Sequence, residues 1–306
     1  MRVLVTGATG FVGRWLAREL EANGHDVVRT PASSEFDIAD APSVRAMVQV
    51  AGPDAVAHLA AISFAGDARR DPAEAFRVNV GGTAAVLDAV RRLPRRPVAL
   101  IAGSSEVYGP PDPGDLPLRE NAPLLPSTPY GLSKLAQEAV AIELAAMHGL
   151  GLVVTRAFNH IGPGQRADFV VPAIAARIVD VLRGNAASIR IGNADVRRDF
   201  TDVRDVVRAY RLLLEATVAD TLPARQMVVN VASGRPVSIR WIAETLKRLA
   251  GCEAEVTVDP ALVRQGDPPE IVGSATLLTR LTGWASAIAL ERTLADILAD
   301  MNGQDR

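Results

Sequence analysis

The sequence predicts a doubly wound α/β fold, a parallel sheet with helices on both faces, joined to a smaller C-terminal lobe. Two observations carry that reading. Through the first 160 residues short β-branched runs alternate with longer stretches of helical periodicity, and the first strand runs directly into a glycine-rich turn that opens a helix. Strict strand–helix alternation enforces right-handed crossovers, and so parallel strands sandwiched between helices.

The strands are read at residues 3–6, 27–30, 55–59, 98–102 and 152–156, each a short apolar run bounded by turn residues. Between them, apolar positions at helical spacing predict helices over 15–22, 43–50, 73–92 and 133–147. After Arg156 the alternation loosens. Gly and Pro cluster at 162–164, a helix is expected over 170–182, and a polar, arginine-bearing stretch covers 190–205. A strand at 227–231 is suited to return the chain to the parallel sheet. The expected organisation is a Rossmann unit over 1–160, rejoined by part of 195–232, with 161–306 mainly forming a substrate-binding lobe.

Composition narrows the function classes. At 306 residues and 48% hydrophobic content the chain can bury a large core. Its formal charge of −2 and pI near 6.1 leave no electrostatic case for nucleic acid or an anionic membrane surface as partner. No basic leader with a long apolar stretch opens the chain and no run reaches membrane-spanning length, so the cytoplasm is the expected compartment. The single cysteine, Cys252, cannot form an internal disulfide. Only two of the 33 basic residues are lysines, Lys134 and Lys247, so each lysine invites a specific explanation.

The turn Thr6-Gly7-Ala8-Thr9-Gly10-Phe11-Val12-Gly13 lies between the first strand and the first helix, the context a dinucleotide site requires. Its glycines permit a tight turn and close backbone approach to a pyrophosphate, whose charge the helix N-terminus stabilises. An acidic residue is expected about 20 positions on to bind the adenosine ribose of NAD. None stands there: the second strand ends Val28-Arg29-Thr30-Pro31, and Glu35 is the nearest carboxylate. Arg29 suits a 2′-phosphate, so NADP(H) is the favoured cofactor and NAD(H) the alternative.

Tyr130-Gly131-Leu132-Ser133-Lys134 opens a helix, and the four-residue spacing puts phenol and ammonium on one face. A free tyrosine is a poor acid–base group at neutral pH; a neighbouring ammonium is expected to lower its pKa so that it can shuttle a proton. Ser104, in Gly103-Ser104-Ser105-Glu106-Val107-Tyr108-Gly109, falls at the carboxyl end of the fourth strand, where ligands of this fold gather. It can hydrogen-bond the reacting oxygen.

Taken together, TGATGFVG, HLAA at 58–61, NVGGT at 79–83, GSSEVYG and YGLSK resemble the extended short-chain dehydrogenase/reductase family. The resemblance implies that Gly7, Thr9, Gly10, Phe11, Val12 and Gly13 cradle the cofactor, that Asp37 and Ile38 line its adenine, and that Leu59, Ala60 and Ala61 border it. It further implies that Asn79 supports the active-site helix, that Lys134 also binds the nicotinamide ribose, and that Tyr130, Lys134 and Ser104 are catalytic. No metal is implied; His25, His58, His148 and His160 form no ligand cluster.

The second half is similar to nucleotide-sugar members of that family through Arg156-Ala157-Phe158-Asn159-His160-Ile161-Gly162-Pro163-Gly164-Gln165, Asp168-Phe169-Val170 and Arg197-Arg198-Asp199-Phe200-Thr201-Asp202-Val203. Arg198 and Arg264 are the pyrophosphate candidates, because a guanidinium makes paired, charge-assisted hydrogen bonds. Asn159 is placed to assist them and Asp267 to meet nucleotide hydroxyls; Ser105, Phe169 and Val170 complete the substrate set. The combination points to the branch that reduces the C4 ketone of a GDP-linked 4-keto-6-deoxy sugar. Glu106 keeps a second branch open, the GDP-mannose 4,6-dehydratases, which use a glutamate at the matching position to remove a proton; its structural alternative is a hydrogen bond within the loop. Epimerisation at a sugar C4 is a third option. A non-enzymatic cofactor sensor would be expected to lack the Tyr and Lys pair present here. Surplus apolar positions on 73–92 and 133–147, together with the resemblance, predict a homodimer through a four-helix bundle.

Overall fold

Val3 and Val5 point to one side of the first strand and Leu4 to the other, and all three are fully buried, so the sheet is covered on both faces. The computed structural model describes residues 1–303. Strands β1 (Arg2–Thr6), β2 (Asp26–Arg29), β3 (Ala55–His58), β4 (Val98–Ala102) and β5 (Leu152–Ala157) alternate with α1 (Phe11–Ala22), α2 (Ala41–Ala51), α3 (Ala65–Arg70), α4 (Pro72–Phe76), α5 (Gly82–Arg91) and α6 (Pro129–His148). The chain continues through β6 (Asn159–Ile161), α7 (Val170–Leu182), β7 (Ile189–Ile191), β8 (Arg197–Asp202), α8 (Val203–Val218) and β9 (Gln226–Val231). It ends with β10 (Pro236–Ser238), α9 (Ile239–Leu249), β11 (Val256–Val258), β12 (Glu270–Ile271), α10 (Thr276–Thr282) and α11 (Leu290–Gly303).

Six parallel strands form the main sheet in the order β2-β1-β3-β4-β5-β9. Residues of α1 and α8 fill one face, and residues of α2, α5 and α6 the other. Because β2 and β3 leave β1 on opposite sides, the strand order reverses at the β1–β3 pair, and a crevice opens beyond the carboxyl ends of these strands at Thr6 and His58. β9, returning after the excursion at 159–225, is the sixth strand and pairs with β5 from Leu152↔Gln226 to Ala157↔Val231.

The smaller lobe has its own core of α7, α9, α11 and β7 side chains. Its short strands gather around β8, which pairs with β6, β10 and β12. Among the described residues no helix is long and apolar enough to cross a membrane.

Two helical expectations change. The first helix begins at Phe11, not at residue 15, since Gly10 in extended conformation already serves as its N-cap. The helix expected over 73–92 is α4 and α5 joined by a π turn at Arg77–Gly81. That wider turn carries the wholly buried Asn79; π turns inside helices recur at functional sites.

Candidate active site

Gly7 adopts φ +66°, and a Cβ there would lie 2.8 Å from the Ala60 nitrogen; at Gly13 a Cβ would come within 2.1 Å of the Gly7 oxygen. The turn is therefore as closely packed against the segment that follows β3, and α1 against the turn, as glycine allows. Gly10 offers no side-chain cap, so the first amides of α1 have no side-chain acceptor at the positive end of the helix dipole. This arrangement fits a dinucleotide pyrophosphate. The Thr6 hydroxyl fastens the next segment by accepting from the amides of Leu59 and Ala60, both at 3.2 Å. Ala61 is half-buried beside them, and Val12 and Leu59 pack against the core beneath.

Farther along, Ile38 is buried against Gly82, and Asp37 accepts from the Ala39 amide at 2.9 Å and Arg77 at 2.6 Å, contacts that hold its carboxyl below the usual range. Arg29, the residue on which the NADP(H) preference leaned, is ion-paired to Glu21 at 2.6 Å. Its charge is already answered, so that argument weakens. What occupies the end of β2 is Thr30, whose hydroxyl accepts from the Gly7 amide at 3.3 Å.

The catalytic candidates meet at the ends of β4 and α6. Ser104 caps the short turn Ser105–Tyr108 by accepting from the Glu106 amide at 3.2 Å, and its side chain lies close enough to the Tyr130 phenol to favour the phenolate. Thr128 caps α6 through the Gly131 amide, which fixes the helix start on which Tyr130 stands. Lys134 lies one turn on, buried, with its ammonium donating to the Ala102 carbonyl and the Gln137 amide oxygen, both at 2.8 Å. Burial brings it down to about 7 from 10.5.

The expected lowering of the tyrosine by this ammonium is not realised. Burial pushes the Tyr130 phenol above its ordinary value, partly offset by Ser104, while Lys134 faces Ala102 and Gln137 instead. A protonated phenol suits a proton donor. Asn79 is joined to the helix through Ser133 Oγ at 2.9 Å and to the Ile62 backbone at 2.8 and 3.1 Å.

On the substrate side Glu106 is exposed, but inside a cleft whose walls crowd its carboxylate. Burial by those walls raises its pKa, opposed by a 3.5 Å contact from Thr128 and by the positive charges of Arg198 and Arg264. Glu106 thus lies in the field of both arginines. Arg198 and Asp267, assigned separate ligand roles from sequence, are ion-paired to each other, with Arg198 also donating to the Arg197 and Pro268 carbonyls. Arg264 is exposed on a loop pinned by reciprocal bonds between its backbone and Asn193 at 2.6 and 2.8 Å. Asn159 is exposed, with its amide 3.4 Å from the Asp199 carbonyl. Phe169 caps α7 and meets Phe64 edge-on with ring centroids 5.3 Å apart; Val170 beside it is exposed, and Ser105 is half-buried.

The carboxylates of the 197–205 stretch prove to be anchors. Asp199 accepts from Ser233, Gly234 and Gly273; Asp202 caps α8 and accepts from Thr293; Asp205 holds the backbone at 287 and 288. They are buried and fix the frame from which Arg198 projects. Sequence reasoning placed Phe11 at the cofactor and His160 in the second-half segment but not their contact: the rings stack 6.2 Å apart and 10° from parallel, joining the glycine turn to that segment. Arg14 and Trp15 reinforce that junction by donating to the Gly164 and Pro163 carbonyls. Among the described residues no group of His, Cys, Asp or Glu is arranged to hold a metal ion.

This fold with a Tyr, Lys and Ser constellation defines a class: residues 3–232 match the NAD dependent epimerase/dehydratase family, and the chain belongs to it. Within that class it is 35% identical to the GDP-6-deoxy-D-mannose reductase of Pseudomonas aeruginosa, over 100% of this chain and 98% of the relative. It is 29% identical to a UDP-glucose 4-epimerase of Streptomyces lividans, covering 92% of this chain and 91% of that one. A solved structure described as RMD from Pseudomonas aeruginosa complexed with NADPH matches with a TM-score of 0.89 and 33% identity, over 99% of this chain and 100% of that chain.

Proposed function

We propose that the protein reduces the C4 ketone of GDP-4-keto-6-deoxy-D-mannose to give GDP-D-rhamnose, using NADPH in preference to NADH. The observation that carries the reading is the placement of Ser104, at the end of β4, beside Tyr130 in the first turn of α6, with burial keeping the phenol protonated and Glu106 in the field of Arg198 and Arg264. Full-length identity to a GDP-6-deoxy-D-mannose reductase and a structural match to an NADPH complex support it. Gly7, Thr9, Gly10, Phe11, Val12 and Gly13 hold the pyrophosphate, Asp37 and Ile38 border the adenine, and Leu59 to Ala61 with Lys134 border the nicotinamide end. When bound, the reduced nicotinamide supplies the hydride and is itself oxidised. Ser104 donates to the ketone oxygen, and Tyr130 delivers its phenolic proton to the alkoxide formed at C4. Arg198 and Arg264 bind the diphosphate.

Purified protein given GDP-4-keto-6-deoxymannose and NADPH should oxidise NADPH stoichiometrically; no oxidation overturns the reading. The second reading, 4,6-dehydration of GDP-mannose, draws on the pKa of Glu106, raised by the crowded cleft as a proton-transfer group requires. It is scored by incubation with GDP-mannose alone, from which a dehydratase makes the 4-keto sugar without added reductant. The enzyme is proposed to be cytoplasmic and to dimerise through a four-helix bundle of α5 and α6 from two copies. Exposed Phe76, Leu132 and Met147 on the adjoining α4 and α6 support that arrangement. Light scattering giving a monomer mass at micromolar concentration would remove it.

A further inference from the structure

Lys134 is a buried cation without a carboxylate partner. Its ammonium meets two neutral oxygens, the Ala102 carbonyl at the end of β4 and the Gln137 side-chain oxygen one turn along α6. Both contacts are 2.8 Å, and Gln137 is itself buried. A glutamine amide can present oxygen or nitrogen, so its usefulness to an ammonium depends on what decides its orientation.

Here the decision is made three bonds away. The Thr83 hydroxyl donates its single hydrogen to the Asn79 carbonyl at 2.8 Å, which leaves Thr83 Oγ1 able only to accept. Gln137 Nε2 fills that acceptor at 2.8 Å and so turns Oε1 toward Lys134. The opposite orientation sets an NH2 against an ammonium and an oxygen against a hydroxyl with no hydrogen left. The chain Asn79–Thr83–Gln137–Lys134 therefore has a fixed polarity and runs from the π turn to the catalytic helix.

We propose that Gln137, oriented by Thr83, is the positioning residue that keeps Lys134 charged and aimed within the active site. Removing one of two acceptors from a buried ammonium favours its neutral form, whereas a carboxylate in the same place favours the charged form. The other groups around Lys134 do not compete for this role. His58 on β3 feels the lysine charge but is held neutral by burial, down to about 3. Tyr130, one turn earlier on α6, keeps its proton, and Glu106 of the 104–108 turn faces Arg198 and Arg264. Glu138, next along α6, is committed to Arg156 of β5. From α5 and the π turn, Thr83 and Asn79 bring no charge.

The proposal rests on Lys134 being the active-site lysine of the function proposed above, but its test does not depend on turnover. Only Lys134 and Lys247 are lysines, so full-length protein labelled with [13Cε]lysine gives two side-chain signals, assigned with a Lys247→Arg variant. Relative to the wild-type Lys134 midpoint, Gln137→Met should lower it and Gln137→Glu should raise it, each by about one unit, with Lys247 unmoved. Thr83→Val, which frees the amide to turn, should move it the same way as Gln137→Met but less. In turnover, the alkaline limb of the kcat/KM profile should follow the same opposed shifts. Movement of the Lys134 midpoint in one common direction for Gln137→Met and Gln137→Glu, as general loosening produces, overturns the proposal. So does a change below about 0.3 unit in both. If Gln137→Met does not fold, Thr83→Val and Gln137→Glu decide by the same opposed signs. If the signals behave as stated and GDP sugars are not turned over, the substrate reading fails and the role of Gln137 stands.

Discussion

Arg198 is tied to Asp267 by an ion pair, so a guanidinium suited to a diphosphate is already held in place by a carboxylate on the loop opposite. The bonds from Arg198 to the Arg197 and Pro268 carbonyls, at 2.8 and 2.9 Å, restrain it further. Such a cation pays little ordering cost on binding a phosphate, and its loss should be felt in affinity before rate. Arg198→Met should weaken GDP binding by about tenfold or more by calorimetry, with kcat less affected than KM. Asp267→Ala should weaken it less. Unchanged GDP affinity in Arg198→Met would remove that residue from the diphosphate site.

A substitution at Tyr130 should separate chemistry from stability. Tyr130→Phe removes the proposed proton donor while keeping the ring, so kcat should fall by about 100-fold or more. Unfolding free energy should change by only about 1 kcal/mol, since the ring and its packing are kept and only a hydroxyl is removed. Glu106→Gln distinguishes the two directions of chemistry. Reduction should persist within about tenfold of wild type, whereas an enzyme that relies on this carboxylate for proton removal should lose about 100-fold or more. Stopped assays on the 4-keto sugar and on GDP-mannose, with thermal melts beside them, read out both variants.

What was legible in the sequence is what periodicity and local chemistry control. The strands of the main sheet, α7 and the Tyr130–Lys134 turn of helix all lie where residue spacing puts them. The return of the chain as β9 was also visible, because 227–231 is a β-branched run. Long-range partner choice was hidden. Nothing local shows that Arg29 takes Glu21, that Arg198 takes Asp267, or that Lys134 turns toward Gln137 and so does not bias Tyr130. The carboxylates at 199, 202 and 205 looked like part of a substrate segment because burial cannot be read from their spacing. The π turn escaped notice because one extra residue in a helical turn leaves the apolar pattern nearly intact.

His58 supplies a pH dependence whose sign follows from burial. Its Nδ1 lies 2.8 Å from Thr6 Oγ1, and burial, with the nearby charge of Lys134, brings the imidazole down to about 3 from 6.5. Between those values the unfolded chain takes up a proton that the folded protein refuses. The stabilisation is therefore complete above about 6.5 and lost as pH falls toward 3. His58→Asn removes the titrating group and leaves the carboxylates to titrate as before. In urea unfolding, wild type should lose about 2 to 3 kcal/mol more than the variant between pH 7 and pH 4.5. Parallel curves for the two proteins would show that the imidazole is not held neutral by the fold.

Arg156 and Glu138 form a buried ion pair, Nε to Oε2 at 2.9 Å and Nη2 to Oε1 at 2.5 Å, that clamps α6 onto β5 one turn beyond Lys134. The same guanidinium donates to the Tyr108 hydroxyl at 3.0 Å and the Glu120 carbonyl at 2.9 Å, and Tyr108 donates onward to Asn230 at 2.7 Å. One cation thus connects the helix bearing Tyr130 with the turn bearing Ser104. Arg156→Met leaves Glu138 buried and alone and should cost about 3 to 5 kcal/mol. The double variant Arg156→Met with Glu138→Leu replaces both charges by apolar volume and should recover most of that loss. Its kcat should nevertheless stay about tenfold or more below wild type, because the tie from α6 to Tyr108 is gone and the Ser104–Tyr130 geometry is no longer enforced. Urea unfolding with steady-state kinetics on the single and double variants measures both effects. Full recovery of kcat together with stability would confine the pair to holding the fold.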